Sequence, residues 1–294
     1  MKEQEIEKNK TQEKLKLIFT MAVFGTIGIF VRFIPLSSGI IASIRGIIGT
    51  LFLIIFVKIK GENISFQAIK NNFKILCISG ILIGANWIML FEAYNYTTVA
   101  TATLCYYLAP IFIIILSPIV LKEKLTLKKI ICVVIALIGM FFISGVMQQG
   151  EIGNTFFKGI IYGVGAAVLY ACVVLLNKFL KNISAYEMTI VQLFIAAITV
   201  IPHVLFTESL PVKGEITFQV ILMLIMIGVI HTGITYAMYF STVKTLKAQT
   251  LAIFSYIDPV VAILLSAFFL KENMNMFSII GAVLILGSTF VSEI

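Results

Sequence analysis

The chain runs as a series of apolar stretches, each about as long as a bilayer is thick, divided by short polar segments that hold most of its basic residues. Inside hydrocarbon no water can pair with a backbone N–H or C=O. Each stretch must therefore satisfy its own main chain, which an α-helix does within one segment. Ten membrane helices are expected, over residues 15–31, 39–57, 75–94, 99–121, 130–146, 159–179, 188–206, 218–240, 248–270 and 278–291. Composition points the same way: 60% of residues are hydrophobic and 12% charged, against about 25% charged in an average soluble domain. That leaves too little polar surface to cover a water-soluble globule.

The distribution of cations sets the orientation. With the amino terminus inside, 17 of the 22 basic residues fall on the inner side, Arg32, Lys158, Lys213 and Lys271 fall outside, and Arg45 lies within a span. Cytoplasmic loops carry such an excess, so an integral plasma-membrane protein with both termini in the cytoplasm is expected. The formal charge of +8 sits in these clusters, as for loops facing anionic lipid, and does not indicate nucleic acid. Residues 2–16 are charged and precede an apolar run. No small-residue cleavage site comes before Arg32, so that run is expected to remain as the first helix. Cys77, Cys105, Cys132 and Cys172 lie inside apolar segments without paired spacing and read as reduced, buried residues; no metal or other cofactor is implied.

Two stretches, 86–144 and 235–292, repeat one another most closely where a helix carries a mid-depth proline. Leu108-Ala109-Pro110 matches Ile257-Asp258-Pro259, and Leu121-Lys122-Glu123 matches Leu270-Lys271-Glu272. Pro110 and Pro259 are 149 positions apart, as are Glu123 and Glu272. The expected fold is an all-α membrane protein of ten transmembrane helices arranged as two inverted five-helix repeats. An odd number of spans per copy makes the second copy enter the bilayer in the opposite sense. The expected division is a tail over 1–14, a first repeat over 15–147, an outer linker over 148–158 and a second repeat over 159–294.

These residues resemble the EamA repeat of the drug/metabolite transporter superfamily. Its pattern is a Thr-rich turn, a helix with a central proline, an acidic residue at that helix's end and a glycine in the last helix. Tyr96-Thr97-Thr98-Val99-Ala100-Thr101-Ala102, Pro110, Glu123 and Gly139 supply it in the first copy; Thr245 to Thr250, Pro259, Glu272 and Gly287 supply it in the second. The resemblance implies ten helices and transport of small metabolites such as amino acids, export being favoured, without ATP.

Polar groups that the bilayer makes costly are the candidates for chemistry. Asp258 stands immediately before Pro259, which lacks an N–H and disfavours helical geometry in the residue before it. The carboxyl is thus expected beside a loosened turn, where its protonation can alternate during a cycle. The competing view is a carboxylate that holds its helix to a neighbour. His231 is placed near mid-depth on a face with Thr235 and Met238, and histidine suits switching near neutral pH; packing is its blander role. Glu92, near an outer helix end, is a second proton-coupling candidate. Arg45 could bind an anionic group of a substrate, but pairing with Glu92 is the expectation.

Asn86-Trp87 matches Thr235-Tyr236, and Tyr106-Tyr107 matches Ser255-Tyr256. Tyr and Trp usually gather at membrane interfaces, so this set at mid-depth suggests a lined substrate cavity rather than helix packing alone. Pro110 and Pro259 are candidate hinges. Gly80 and Gly84 form a G-x-x-x-G pattern suited to close helix contact.

The reading is a secondary active transporter of a small metabolite, amino acid export leading, possible proton coupling included, working by alternating access. Its partners are a small-molecule substrate, the lipid bilayer and protons. An uptake carrier or exchanger for an organic cation is the alternative. No G-x-x-x-x-G-K-[ST] is present for ATP. An intramembrane enzyme lacks H-E-x-x-H, G-x-S-x-G and a second mid-membrane aspartate, and a channel lacks a charged ring or filter-like loop.

Overall fold

The computed structural model describes residues 2–96, 102, 105–143, 154–209, 215–269 and 276–293. The Thr-rich turn 97–101, Thr103, linker residues 148–153, Lys213, and Leu270-Lys271-Glu272 lie outside the described residues. Among those described, all regular structure is helical: α1 (Lys2–Arg32), α2 (Ser38–Ile59), α3 (Phe66–Tyr96), α4 (Ala109–Leu121), α5 (Leu127–Ile143) and α6 (Asn154–Asn177). There follow α7 (Ala185–Thr207), α8 (Phe218–Met226), a π-helical segment (Ile227–Ile234), α9 (Thr235–Thr245), α10 (Ala248–Phe254), α11 (Ile257–Phe269) and α12 (Met276–Glu293). Six of the described stretches are long and apolar enough to cross a membrane: Thr11–Val31, Ser38–Ile59, Phe66–Ala93, Phe157–Asn177, Ala185–Thr207 and Phe218–Thr245. Ala109–Leu121, Ala248–Ala262 and Ile279–Ser288 are shorter apolar helices.

Two features depart from uninterrupted spans. The stretch from Ala248 to Phe269 is divided into α10 and α11 by a turn at Ser255 and Tyr256, and α4 is preceded by a turn at Tyr107 and Leu108. The Phe218–Thr245 span also changes register in its middle. There, Thr232 Oγ1 donates to the Ile227 carbonyl (3.0 Å) and Thr235 Oγ1 to the Ile230 carbonyl (2.7 Å), both five residues back. The two threonines thus add side-chain donors to carbonyls of the wider turn, the Ile230 carbonyl also accepting the Thr235 N–H.

The halves of the chain interlock rather than sit side by side. α3 packs on α6 and α7, α2 on α7 and the π-helical segment, α1 on α11 and α9, α4 on α6 and α10, and α5 on α12. Each of these pairings joins the first half to the second. Small residues permit the approach: a Cβ added at Gly80 would lie 2.7 Å from Ile195 Cβ, and one at Gly84 would lie 2.7 Å from Thr199 Cβ and 2.8 Å from the Ala196 carbonyl oxygen. The G-x-x-x-G notch of α3 is therefore filled by α7 of the same chain.

Carboxylates stitch the helix ends across the halves. Glu123, just past α4, accepts from the Ala248 (2.9 Å) and Gln249 (3.4 Å) N–H groups that open α10, whose N-cap residue Lys247 makes no side-chain cap bond. Glu187 completes a capping box with Ser184 on α7 and also accepts from the Ser65 N–H at 2.6 Å, just before α3. Glu208, after α7, accepts from Ser37 Oγ and from the Gly39 N–H (3.2 Å) at the start of α2. In each case a negative charge meets the unpaired donors at a helix start, the place where the helix dipole favours it. Lys178, following α6, donates to the Leu246 carbonyl; burial pushes its ammonium down to about 8, against the opposing pull of Glu123.

Gly84→Val is expected to cost about 1–3 kcal/mol by overpacking the α3–α7 contact. Gly287→Ala, where an added Cβ meets nothing within 4 Å, should leave thermal unfolding in detergent unchanged. Equal effects from the two substitutions would contradict the packing argument. Lys178 gives a pH signature. The folded state holds its proton less tightly than the unfolded chain, so the stability it contributes rises as pH climbs from about 8 towards the ordinary lysine value of 10.5. Lys178→Met should flatten that part of a melting-temperature profile.

Candidate functional site

Among the described residues the helical ladder is interrupted just ahead of Pro110 and again just ahead of Pro259. Pro110 and Pro259 have no N–H to give, and the turn before each leaves main-chain groups to be paired by other means. At the first break the Ile111 N–H bonds to the Leu108 carbonyl (3.0 Å), so the Tyr107 carbonyl loses its usual helical donor. The Tyr256 hydroxyl, from the second break, donates to that carbonyl at 3.2 Å. Tyr107 in turn hydrogen-bonds through its side chain to the Asp258 carboxylate. The two rings lie 6.3 Å apart, so the breaks meet and brace each other.

Beside this junction is a cavity of about 250 Å³. Its polar groups come from both halves: Arg45 on α2, Asn86 on α3, Tyr106 and Tyr107 before α4, Ser255 at the second break and Asp258 on α11. Tyr170 of α6 and Tyr239 of α9 join the wall, their hydroxyls 2.7 Å apart. Aromatic edges close it: Phe24 meets Tyr236 edge-on at 5.3 Å, and Trp87 stands at 90° to Tyr236 at 6.4 Å. Typical sites for drug-sized ligands occupy about 300–1,000 Å³, so this cavity suits a small metabolite.

Sequence candidates divide by position. Asn86, Trp87, Tyr106, Tyr107, Tyr236, Ser255, Asp258 and Pro110 line the cavity. Asn86 also ties α3 to α6, its amide donating to the Ala166 carbonyl at 2.6 Å. Tyr256 and Pro259 are buried behind the wall, and Thr235 is committed to the π-helical segment. His231 faces α1. His231 Nε2 and Thr26 Oγ1 share a hydrogen bond of 2.7 Å, the same hydroxyl lies 2.7 Å from the Val23 carbonyl, and the Phe30 ring packs 5.0 Å from the imidazole. Glu92 lies away from the cavity, 3.5 Å from His203 Nε2. The Arg45 guanidinium does not pair with Glu92; it lies 4.4 Å from the centre of the Trp87 ring.

Met21, Phe24, Leu90, Tyr170, Val173 and Tyr239 are wall residues that the sequence reading passed over. Their signal was the 149-residue offset itself: Met21 corresponds to Tyr170, Phe24 to Val173 and Leu90 to Tyr239, just as Trp87 corresponds to Tyr236 and Ala109 to Asp258.

A cavity walled by matched positions of a duplicated helical unit agrees with comparison to known proteins. The profile of the EamA-like transporter family matches the chain twice, over residues 13–145 and 157–293. The chain belongs to that family. A relative in Bacillus subtilis (strain 168), the uncharacterized transporter YxxF, is 29% identical over 95% of this chain and 88% of its own length. An uncharacterized transporter of Archaeoglobus fulgidus is 24% identical, covering 94% of each chain. Protein RarD of Escherichia coli (strain K12) is 25% identical over 67% of this chain and 64% of its own. A solved crystal structure shares the fold with a TM-score of 0.82, covering 96% of this chain and 98% of that one at 18% identity. As an EamA protein the chain is a membrane transporter of small molecules, not an enzyme.

Tyr256→Phe in this EamA chain removes the donor to the Tyr107 carbonyl while leaving the cavity lining intact. It is expected to lower stability by about 1–3 kcal/mol, the cost of a buried group left unpaired, measured by thermal unfolding. An unchanged melting temperature would remove Tyr256 from the bracing role.

Proposed function

We propose that the protein is a secondary active transporter exporting a small polar metabolite, amino acids being the leading class, across the bacterial plasma membrane. It works by alternating access, with Asp258 carrying a coupled proton. The observation that carries this reading is the cavity of about 250 Å³, walled by both halves and containing Asp258 where the two helix breaks meet. Ten spans in two inverted repeats with cytoplasmic termini would make the halves exchangeable across the bilayer. The excess of basic residues on one side and the reciprocal packing of the halves support that arrangement. Pro110 and Pro259 serve as hinges, since non-helical backbone at membrane depth is tolerated where it is buried in protein or lines a cavity.

In this cycle the cavity opens inward when Glu123 releases the N–H groups of Ala248 and Gln249, and loads substrate against Trp87, Tyr106 and Tyr236. Asp258 exchanges its proton with the hydroxyl of Tyr107 at hand to accept or release the hydrogen bond. Glu92, outside the cavity and beside His203, serves as an outer relay for that proton.

The test is substrate-evoked pH change inside proteoliposomes, screening amino acids and organic cations against wild type and Asp258→Asn. A saturable signal in wild type that disappears in the folded variant is expected. Normal proton-coupled flux through Asp258→Asn would overturn the coupling role. Exchange of labelled compounds with no proton movement would make the protein an exchanger or uniporter.

A further inference from the structure

Arg45 lies seven residues into α2, about 10 Å from the helix start at 1.5 Å per residue. A guanidinium stays ionised at any working pH, and a charge at such depth marks a functional position by default. Its surroundings leave that charge unanswered. Among the described residues no ion pair joins Arg45 to a carboxylate: Glu92 is beside His203, and Asp258, in the same cavity, is bonded to Tyr107. Arg45 Nε is buried without a hydrogen-bond partner.

What does hold Arg45 is the face of Trp87, 4.4 Å away. A cation–π contact uses the guanidinium's flat face and consumes none of its five N–H donors, which point outward in the plane. The Tyr106 and Tyr236 side chains lie within electrostatic reach and line the same space. A planar fork of donors, fixed by an aromatic ring and opening on a cavity, matches the two oxygens of a carboxylate. We infer that Arg45 is the anchor for a carboxylate on the transported molecule, so that the carried class is small carboxylic acids, amino acids included, and organic cations are rejected. This rests on the cavity being the transport site.

Trp87 is the single tryptophan of the chain, so intrinsic fluorescence reports directly on the ring beneath Arg45. The experiment titrates the full-length protein in detergent micelles with the standard amino acids other than tryptophan and tyrosine and with acetate, lactate and succinate. Each acid is set against its carboxamide, and each amino acid also against its decarboxylated amine. At least one acid is expected to give a saturable change in Trp87 emission, with its amide at least about ten-fold weaker. Arg45→Gln should weaken that acid by about 10- to 100-fold, the range for losing a charged hydrogen-bond partner. Arg45→Lys, which keeps the charge and loses the fork, should fall between.

Amides or amines binding as tightly as the acids, or full affinity retained in Arg45→Gln, would overturn the anchor. So would silence of Trp87 towards every acid. Should Arg45→Gln fail to fold, the acid-against-amide comparison on wild type still decides. Flux in proteoliposomes separates the two readings. Saturable transport of amines that Arg45→Gln preserves removes the anchor and leaves the transporter standing, whereas acid-specific binding at Trp87 without any flux does the reverse.

Discussion

The contact between Tyr107 and Tyr256 is where the rest of the architecture converges. A membrane helix has no water to pair an interrupted ladder, so a break at mid-depth survives only with partners supplied by the protein. Here each break supplies the other: the Tyr256 hydroxyl satisfies the Tyr107 carbonyl, and the Tyr107 side chain bonds the Asp258 carboxylate. Because the two tyrosines occupy matched positions, 149 residues apart, duplication delivers both halves of the solution at once.

Around that centre the halves are held by terms of different character. Glycine notches on α3 let α7 approach to backbone contact, a packing term that falls off steeply with any added side chain. At the helix ends, Glu123, Glu187 and Glu208 each place a negative charge on the first N–H groups of a helix or its lead-in from the opposite half. Such capping depends on geometry at a few atoms and can be made or released without disturbing the packed middle. The bundle is thus tight in its interior and joined at its ends by charged caps.

Hydropathy and the paired prolines made the helical membrane fold legible, because bilayer thickness and the missing proline N–H act through local sequence alone. The repeat offset made half of the cavity wall legible; carried into the first helix of each copy it would have reached Tyr170, and followed four residues past Asn86 it would have reached Tyr239 opposite Leu90. What the sequence could not convey was helix rotation. Placing His231 on a face with Thr235 and Met238 assumes 3.6 residues per turn; the π-helical segment turns more slowly, and His231 meets Thr26 and Phe30 while Tyr236 reaches the cavity. Arg45 was open for the same reason. Its depth resembled that of Glu92, but which neighbour it meets is settled by how α2 and α3 are turned, and Trp87 takes the place that Glu92 was expected to hold.

The first helix gains importance from this arrangement. A Cβ at Gly25 would stand 2.6 Å from the Asp258 carbonyl oxygen and 2.9 Å from Val261 Cβ, so α1 presses on the backbone at the second break with no space between them. One residue earlier, Phe24 forms part of the cavity wall, and one residue later, Thr26 holds His231. Close-packed interiors do not deform gradually. A change in the turn at Asp258 must therefore move α1 or be resisted by it, and a shift of α1 alters the aromatic wall and the π-helical segment together. The loosened turn, the cavity surface and the irregular middle of the Phe218–Thr245 span thus each rest on one of three successive residues of α1.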